Sequence, residues 1–380
     1  TDIKQKQVQD HMQRIGGFKE LTVRKTVPAD QTFYYRNKME YSFGTHRWLS
    51  AEEVQRDEYV SDEGTWAGLH APGRFDKILN LKECHLQHPV SYKILDFIRR
   101  YAHQHKIKAY DTFNHTGYLR NLMIRNACYT DDLMVNLVTR DDDEQIMQSI
   151  TDAILAEFPQ ITTIINNIND EKSPTAVGRY QKVYYGPGFI VDGIRDLRFE
   201  IHPNAFFQTN TRQAEKLYKL AADLASLSAD DLVFDLYCGV GTLTLYLSKM
   251  AKKVVGIEMN PVAIESAHKN ADDNDISNSN VEFFEGDMKK VFQHKLLERY
   301  GLPDCIITDP PRAGMHPDVV NTLNRIKVPK LIYISCNSST MARDLKELDK
   351  NYTIDHIQPV DMFPQTYHIE TVARLLSREH

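Results

Sequence analysis

The chain of 380 residues contains little cysteine and no long apolar run. Its five cysteines are scattered and odd in number, which excludes a secreted disulfide framework and a paired zinc motif. No run approaches the roughly eighteen apolar residues of a membrane span, and the first residues lack the basic and apolar regions of a signal peptide. We therefore expect a cytoplasmic protein without membrane contact, in which at least one cysteine is free for chemistry.

An excess of positive charge is also missing, because the formal net charge is −6. This argues weakly against a nucleic-acid partner, since phosphate contacts need Lys and Arg. However, acidic residues cluster at 52–63 and 141–144, whereas basic residues elsewhere stand near aromatic ones, as Arg47 does beside Trp48. A separate basic face and an evenly mixed, solvated surface are both compatible with this pattern.

The pattern of apolar residues changes near residue 200. Before it, short alternating runs separated by turn residues predict a half-solvated antiparallel sheet with crossing helices, preceded by an N-terminal helix that stops at Gly16-Gly17. After it, strands and helices alternate, which predicts an α/β domain with a doubly wound, mostly parallel sheet. The length suits two domains, and we place them at 1–200 and 201–380.

In the second half, the first helix is predicted to begin with Thr211 as its N-cap. The predicted strands are 232–235, 253–258, 281–285, 305–308 and 331–334, and the predicted helices are 211–224, 242–250, 261–274 and 317–327.

A glycine loop follows the first of these strands, within Asp235 to Thr242. Gly239 and Gly241 remove side chains where the backbone passes close to a ligand, and the helix that begins near Thr242 offers unpaired N–H groups. Two glycines, rather than the three of a pyrophosphate fingerprint, are typical of an S-adenosylmethionine (SAM) site. On the loop alone, a nicotinamide dinucleotide remains an alternative.

Two acidic residues support a nucleoside site near this loop. Glu258 ends the next strand and is placed to accept hydrogen bonds from both ribose hydroxyls, with capping of the helix entered at Pro261 as the alternative. Asp287 follows the third strand, at a position suited to the adenine rim.

Asp309 ends the fourth strand, and the prolines after it make a stiff loop that holds its carboxylate in one direction.

A thiol and a carboxylate complete the set of candidate residues. Cys336 follows the last predicted strand within Ser335-Cys336-Asn337, and Glu370 ends the segment that begins at Asp361. Such a pair suits an enzyme that adds a thiolate to a pyrimidine ring and later removes a ring proton. We expect the pKa of Cys336 to be lowered, or its thiol to have a hydrogen-bond donor, from Arg312 or Ser335. Cys238, within the glycine loop, is interpreted as a packing residue.

With these motifs the chain resembles the RNA uracil-5-methyltransferases, which make 5-methyluridine in ribosomal and transfer RNA. The resemblance implies a Rossmann-like class I methyltransferase domain after a mixed α+β central domain that recognises RNA. The segments that carry it are Phe206 to Asn210, Asp235 to Thr242, Asp309 to Gly314, Ser335 to Asn337, Asp361 to Glu370 and, in the central domain, Tyr35 to Gly44.

The resemblance also implies roles for individual residues. Cys336 is expected as the nucleophile on C6 of uracil and Glu370 as the base that removes the C5 proton. Arg312 stands where cytosine-5-methyltransferases carry a cysteine, which favours uracil as the substrate. Phe206 and Phe207 are expected to contact the flipped base, and Arg312 a phosphate or oxyanion. The residues expected to bind SAM are Gln208, Tyr237, Gly239, Thr242, Glu258, Asp287 and Asp309.

Cys84 is the informative departure from the family pattern. It resembles the fourth ligand of an iron–sulfur cluster whose other three cysteines lie upstream in many relatives, but no cysteine precedes it here. One thiolate cannot hold a cluster, so we predict no metal. We interpret the sequence as a fragment whose natural N-terminus carried the cluster ligands and a small RNA-binding barrel.

The RNA target is left open by the sequence. The family form with Cys84 favours 23S ribosomal RNA, with transfer RNA as the alternative, and a monomer is expected. A catalytically inactive RNA-binding or chaperone module is the alternative from another functional class.

Overall fold

The computed structural model describes residues 1–56, 60–172, 177–276, 278–288, 292 and 295–379. The chain divides into two compact units. The N-terminal unit comprises Phe33–Gly193 and Glu200–Ala205, and the C-terminal unit comprises Thr1–Thr32, Ile194–Phe199 and Phe206–His380.

The helices of the described residues are α1 (Asp2–His11), α2 (Ala51–Val54), α3 (Pro89–Gln104), α4 (Glu144–Glu157), α5 (Thr211–Ala225), α6 (Thr242–Leu247), α7 (Pro261–Asp273), α8 (Lys295–Tyr300), α9 (Pro317–Ile326) and α10 (Ser338–Leu348). The strands are β1 (Lys38–His46), β2 (Glu63–Ala71), β3 (Arg74–Asn80), β4 (Leu119–Asn126), β5 (Leu133–Thr139), β6 (Thr163–Ile168), β7 (Tyr180–Tyr185), β8 (Ile190–Ile194), β9 (Leu197–Ile201), β10 (Leu232–Leu236), β11 (Lys253–Glu258), β12 (Val281–Glu285), β13 (Cys305–Thr308), β14 (Lys330–Ser335), β15 (Tyr352–Val360) and β16 (Glu370–Ser377).

The N-terminal unit contains a seven-stranded sheet in the order β3-β2-β1-β4-β5-β6-β7. Its strands pair antiparallel except for β5 and β6, which run parallel on either side of the crossover through α4. One face of the sheet packs on α3 and α4 through a core that includes Tyr41, Ile94 and Ile150. The prediction of a half-solvated sheet is wrong for β5 and β6, whose residues are all buried. Parallel strands are usually covered on both faces.

The C-terminal unit contains a second seven-stranded sheet, in the order β12-β11-β10-β13-β14-β16-β15. The first five strands run parallel, and helices connect them along the chain. The predicted Rossmann-like, mostly parallel α/β sheet is thereby confirmed. The sequence analysis did not predict β15 and β16, which form an antiparallel hairpin at the edge next to β14.

The first 32 residues belong to the C-terminal unit, whereas the sequence boundary at residue 200 assigned them to the first domain. Their apolar residues explain this grouping, because Val8, Met12 and Val23 are buried in the same core as Leu345 of α10. The helix α1 continues into a π-helical turn and ends at Gly17 with a φ of 83°, close to the predicted glycine stop.

A second difference concerns the start of α5. Asn210, rather than the predicted Thr211, is the N-cap, and its side chain accepts a hydrogen bond from the backbone N–H of Gln213 at 3.2 Å. Within the described residues, none of the helices is both long and apolar enough to cross a bilayer.

Candidate active site

The candidate site lies at the carboxyl edge of the parallel strands in the C-terminal unit. β10, β13 and β14 are neighbours, with Leu236 opposite Thr308 and Thr308 opposite Tyr333 in the register. Tyr237, Asp309 and Cys336 each come at or directly after the end of one of these strands. Ligands of open α/β sheets bind at this edge, so the fold brings these three predicted residues to one place.

Glu370 reaches the same edge from the opposite chain direction. It is the first residue of β16, which runs antiparallel to β14 with Thr371 opposite Ser335 and Val372 opposite Ile334. Continuing this register by one position sets Glu370 opposite Cys336, on strands about 4.8 Å apart. The two side chains are close enough for the Glu370 carboxyl group to act on the pKa of the Cys336 thiol.

The charges at this edge act against ionisation of the thiol. Burial, which is the largest cause, and the carboxylates of Glu370 and Asp309 together raise the pKa of Cys336 from 9.0 to about 11, whereas Arg312 lowers it. The expectation of a lowered pKa is therefore wrong. The causes are tertiary, because burial of the thiol and the two carboxyl groups that converge on it outweigh one exposed guanidinium.

The two carboxyl groups have raised pKa values themselves. Burial raises the pKa of Asp309 to about 7. Burial also raises the pKa of Glu370 well above its ordinary range, and Asp309 adds to this shift while Arg312 opposes it. Negative charge is thus disfavoured at all three groups, and a positive charge placed near them would lower their pKa values.

Asn337, directly after Cys336, connects this segment to the loop of Pro310, Pro311 and Arg312 through hydrogen bonds. Its Oδ1 caps α10 by accepting from the backbone N–H of Ser339 at 3.1 Å, and its Nδ2 donates to the carbonyl of Arg312 at 3.2 Å. The Ser335 hydroxyl, predicted as a possible donor to the thiol, instead donates to the carbonyl of Asn337 at 3.1 Å. This network fixes where the backbone presents Cys336.

The glycine loop has the backbone conformation expected of a ligand-binding turn. Tyr237, Gly239 and Gly241 have φ values of 69°, 54° and 82°, in the left-handed region. A Cβ at Gly241 would meet the ring of Phe283 at 2.9 Å, so this glycine is required by packing. A Cβ at Gly239 would meet no other atom within 4 Å, which leaves open space at this position for a ligand.

Glu258 is held against the glycine loop. Its carboxylate accepts from the backbone N–H groups of Gly239 at 3.2 Å, Met259 at 2.8 Å and Asn260 at 2.9 Å. The alternative role as the helix cap falls to Asn260, whose Oδ1 accepts from the N–H of Val262 at 3.0 Å. The Glu258 carboxylate is thus oriented beside the loop, where ribose hydroxyls can bind it.

The remaining predicted cofactor residues lie around the same loop. Burial, followed by the charges of Asp344, Asp287 and Glu258, raises the pKa of Tyr237 to about 12, so Asp287 and Glu258 both lie near this tyrosine. Thr242 begins α6, and its Oγ1 lies 3.0 Å from the hydroxyl of Tyr218. Gln208 is buried, and it also hydrogen-bonds Tyr218.

Tyr218 and Asp235 are site residues that the sequence analysis did not select. Tyr218 links two predicted cofactor residues, Thr242 and Gln208. Asp235 is buried beneath the glycine loop, accepts from the Thr244 hydroxyl at 2.6 Å, and has a pKa raised to about 7 by burial. An acidic residue within the apolar strand Leu232–Leu236 was the sequence signal that Asp235 is buried and has a specific partner.

The two adjacent phenylalanines differ in their surroundings. Phe206 is 69% exposed, so it has a face on which a base can stack. Phe207 is only 3% exposed, and its ring packs 6.0 Å from that of Phe199. Phe207 is therefore a core residue, and the expectation that it contacts the flipped base is wrong for this arrangement.

The other thiols have different surroundings from Cys336. Cys238 is buried, and a Cβ at Gly256 would meet its Sγ at 3.0 Å, in agreement with a packing role. Cys84 is buried in the core of the N-terminal unit. Among the described residues, no group of three or more His, Cys, Asp or Glu side chains is placed to hold a metal ion.

Comparison with known proteins agrees with this site. Residues 179–379 match the tRNA (uracil-5-)-methyltransferase family. RNA methyltransferases of Chlorobaculum tepidum and Bacteroides thetaiotaomicron, both named as uncharacterized, are 41% and 40% identical over 97% and 98% of this chain and 77% and 82% of theirs.

A solved structure adds a cofactor to the comparison. The tRNA (uracil-54, C5)-methyltransferase of Pyrococcus abyssi, in complex with S-adenosyl-L-homocysteine, aligns with a TM-score of 0.76 at 30% identity, over 99% of this chain and 83% of that one. The resemblance inferred from the motifs is thereby confirmed. The chain belongs to the tRNA (uracil-5-)-methyltransferase family and is a SAM-dependent RNA (uracil-5-)-methyltransferase.

Proposed function

We propose that the chain methylates C5 of a uridine through a covalent bond between Cys336 and C6 of the base, with Glu370 as the base that removes the C5 proton. The observation that carries this proposal is the meeting of Cys336, Glu370 and Asp309 at one sheet edge beside the glycine loop. Gln208, Tyr237, Gly239, Thr242, Glu258, Asp287 and Asp309 are proposed to surround SAM.

The thiol is needed because C5 of uracil is a poor nucleophile. Cys336 is only partly buried, so its proton leaves to solvent as the sulfur bonds to C6 and electron density moves to C5. Bound SAM supplies an electrophilic methyl group and a positive charge that lowers the pKa of neighbouring acids. C5 then takes the methyl group, and the S–CH₃ bond of the donor breaks.

Glu370 is suited to the last step because of its environment. Burial raises the pKa of Glu370 well above its ordinary range. Its carboxylate would therefore be a stronger base for the C5 proton than an exposed carboxylate. Loss of this proton restores the C5–C6 double bond and expels the Cys336 thiolate.

The target base must leave its stack to reach this edge of the sheet. We propose that Phe206 stacks on the extruded uracil and that the N-terminal unit contacts the surrounding RNA. Exposed aromatic side chains of that unit support the second statement, because they can stack on unpaired bases. They are Phe33, Trp48, Phe75 and Phe113, and Phe75 and Phe113 are 64% and 66% exposed, with ring centroids 5.6 Å apart.

We propose 23S ribosomal RNA as the substrate, on the resemblance that includes Cys84. Transfer RNA is the second candidate, because the Pyrococcus abyssi enzyme that aligns over 99% of this chain is a tRNA methyltransferase. Incubation with unmodified ribosomal and transfer RNA, followed by mapping of 5-methyluridine, decides between them. The cytoplasmic location and the monomeric state stay predictions.

The covalent mechanism is tested with RNA that contains 5-fluorouracil. Fluorine at C5 cannot leave as a proton does, so the wild-type protein should form a stable protein–RNA adduct in the presence of SAM. Cys336→Ala should form no adduct and no methylated product, while its affinity for SAM stays within about twofold. Methyl transfer by Cys336→Ala would refute the assignment of the nucleophile.

A further inference from the structure

One lysine in α1 is buried, on a helix whose other buried residue is Val8. Lys4 is 8% exposed, and lysine is rarely buried unless it is paired. Its Nζ lies 2.6 Å from Oδ1 of Asp361, in an ion pair whose side chains are 10% and 11% exposed. Both residues belong to the C-terminal unit.

The same ammonium group reaches a second point of the segment that precedes Glu370. We name residues 361–369 the base loop, because Glu370 follows it directly. The Nζ of Lys4 donates to the carbonyl of Phe363 at 2.9 Å, and this carbonyl also accepts from the Thr366 hydroxyl at 2.7 Å. Lys4 thus joins the first carboxylate of the base loop to the carbonyl at the start of its turn.

Other contacts hold the backbone on either side of this point. The N–H of Asp361 donates to the carbonyl of Val27 at 2.9 Å, and Nδ2 of Asn210 donates to the carbonyl of Met362 at 2.9 Å. Beyond Phe363 the loop turns through Gln365, with a φ of 63°, and exposes Tyr367. The part of the loop that Lys4 holds is therefore the part from which this turn starts.

A buried ion pair is a weak source of stability, because removing both charges from water offsets much of their attraction. It does fix geometry, since the ammonium and both oxygens must keep their positions to remain satisfied. Glu370 needs such a fixed approach, because it must take one proton from one face of the ring.

We propose that Lys4 is a positioning residue that holds the base loop so that Glu370 reaches the C5 proton. This inference rests on the proposed function of Glu370. Lys4 lies outside residues 179–379, which match the family.

The test uses Lys4→Met, with Lys6→Met as a control that removes an exposed charge from the same helix. Methyl transfer to RNA in a single turnover should change little in Lys4→Met, because Cys336 and the SAM site are untouched. Release of the methylated RNA should slow by about a hundredfold, the scale of effect of a 1 Å misplacement. The covalent protein–RNA adduct should therefore accumulate on a denaturing gel, and Lys4→Arg should restore much of the release rate.

Two results of this test overturn the proposal. Release by Lys4→Met at the rate of Lys6→Met overturns it, and so does equal slowing of methyl transfer and release, which indicates a general loss of structure. If Lys4→Met does not fold, Asp361→Asn is measured instead, because its amide oxygen still accepts from Lys4 while the charge is lost. The Glu370→Gln variant distinguishes failure of the Lys4 inference from failure of the proposed function. If Glu370→Gln accumulates adduct and the Lys4 and Asp361 variants do not, only the Lys4 inference fails. If Glu370→Gln accumulates no adduct, the proposed function fails.

Discussion

Replacing Glu370 by glutamine should separate the two halves of the reaction. The change keeps the size of the side chain but removes its ability to take a proton. The variant should therefore form the covalent adduct and transfer the methyl group, and then fail to release the product. An intermediate that is fleeting in the wild type becomes the main species in the variant.

The magnitudes follow from the charges at the site. The pKa of Cys336 rises from 9.0 to about 11, which lowers the thiolate fraction about a hundredfold below pH 9. Burial is the largest cause and Glu370 the next, so removing the Glu370 charge recovers part of this factor. Adduct formation should thus be as fast as in the wild type or faster. General base catalysis contributes about 10² to 10⁴, so release should slow by that factor, or about 3–5 kcal/mol in barrier height.

The assay follows labelled RNA and SAM on a denaturing gel, where adduct and free methylated RNA separate. Glu298→Gln, an exposed carboxylate of α8, is the matched control and should behave as the wild type. Full turnover by Glu370→Gln would refute the role of Glu370. So would the absence of adduct from a folded variant that still binds SAM.

Three further predictions concern the supporting residues. Asp235→Asn should raise the melting temperature more at pH 8 than at pH 5. The pKa of Asp235 is about 7 in the folded protein, against an ordinary 3.8. Protonated Asp235 therefore adds about 4 kcal/mol to the free energy of unfolding of the wild type below pH 3.8, and this contribution is lost as the pH rises to 7. Thermal melts across this range measure the effect, and a constant difference would contradict it. Both glycines have a positive φ, so alanine should cost about 1 kcal/mol of stability at either position. Gly241→Ala should cost about 1–3 kcal/mol more because its Cβ would meet Phe283, whereas Gly239→Ala, with open space at its Cβ, should mainly weaken SAM binding in calorimetry. Equal stability losses would contradict this distinction. Phe207→Ala should lower the free energy of unfolding by about 3–5 kcal/mol, and Phe206→Ala should leave it unchanged but weaken RNA binding by about 1–3 kcal/mol. The reverse pattern would contradict the assignment of these two rings.

Much of the C-terminal sheet was predictable because its signals are local. The strands β11, β12 and β13 have the predicted bounds, since each is a short apolar run closed by a polar residue or a turn. The glycine loop and the acids at the strand ends were found for the same reason. The antiparallel hairpin of β15 and β16 was not predicted. In the sheet, β16 lies between β14 and β15, and no local sequence pattern indicates this strand order.

The pKa of Cys336 depends on tertiary contacts that cannot be read from the sequence. A lowered pKa for Cys336 followed from the nearby Arg312, but Asp309 and Glu370 reach the thiol only through the folded sheet. The grouping of α1 was missed for a similar reason. The boundary at residue 200 assigned this helix to the first domain, whereas Lys4 is buried against Asp361 of the C-terminal unit.

The two-part make-up of the C-terminal unit has a consequence for its synthesis on the ribosome. Lys4 and Asp361 are separated by 357 positions, and between them the chain produces the whole N-terminal unit, whose buried core residues, among those that the structure describes, run from Met39 to Ile164. Domains generally fold as they emerge, so this inner unit can fold early while the leading helix waits for its partners. A nascent chain stalled before residue 361 would thus carry Cys336, the proposed nucleophile, without Glu370, the proposed base, and methylation competence should appear only after residue 370 has been synthesised.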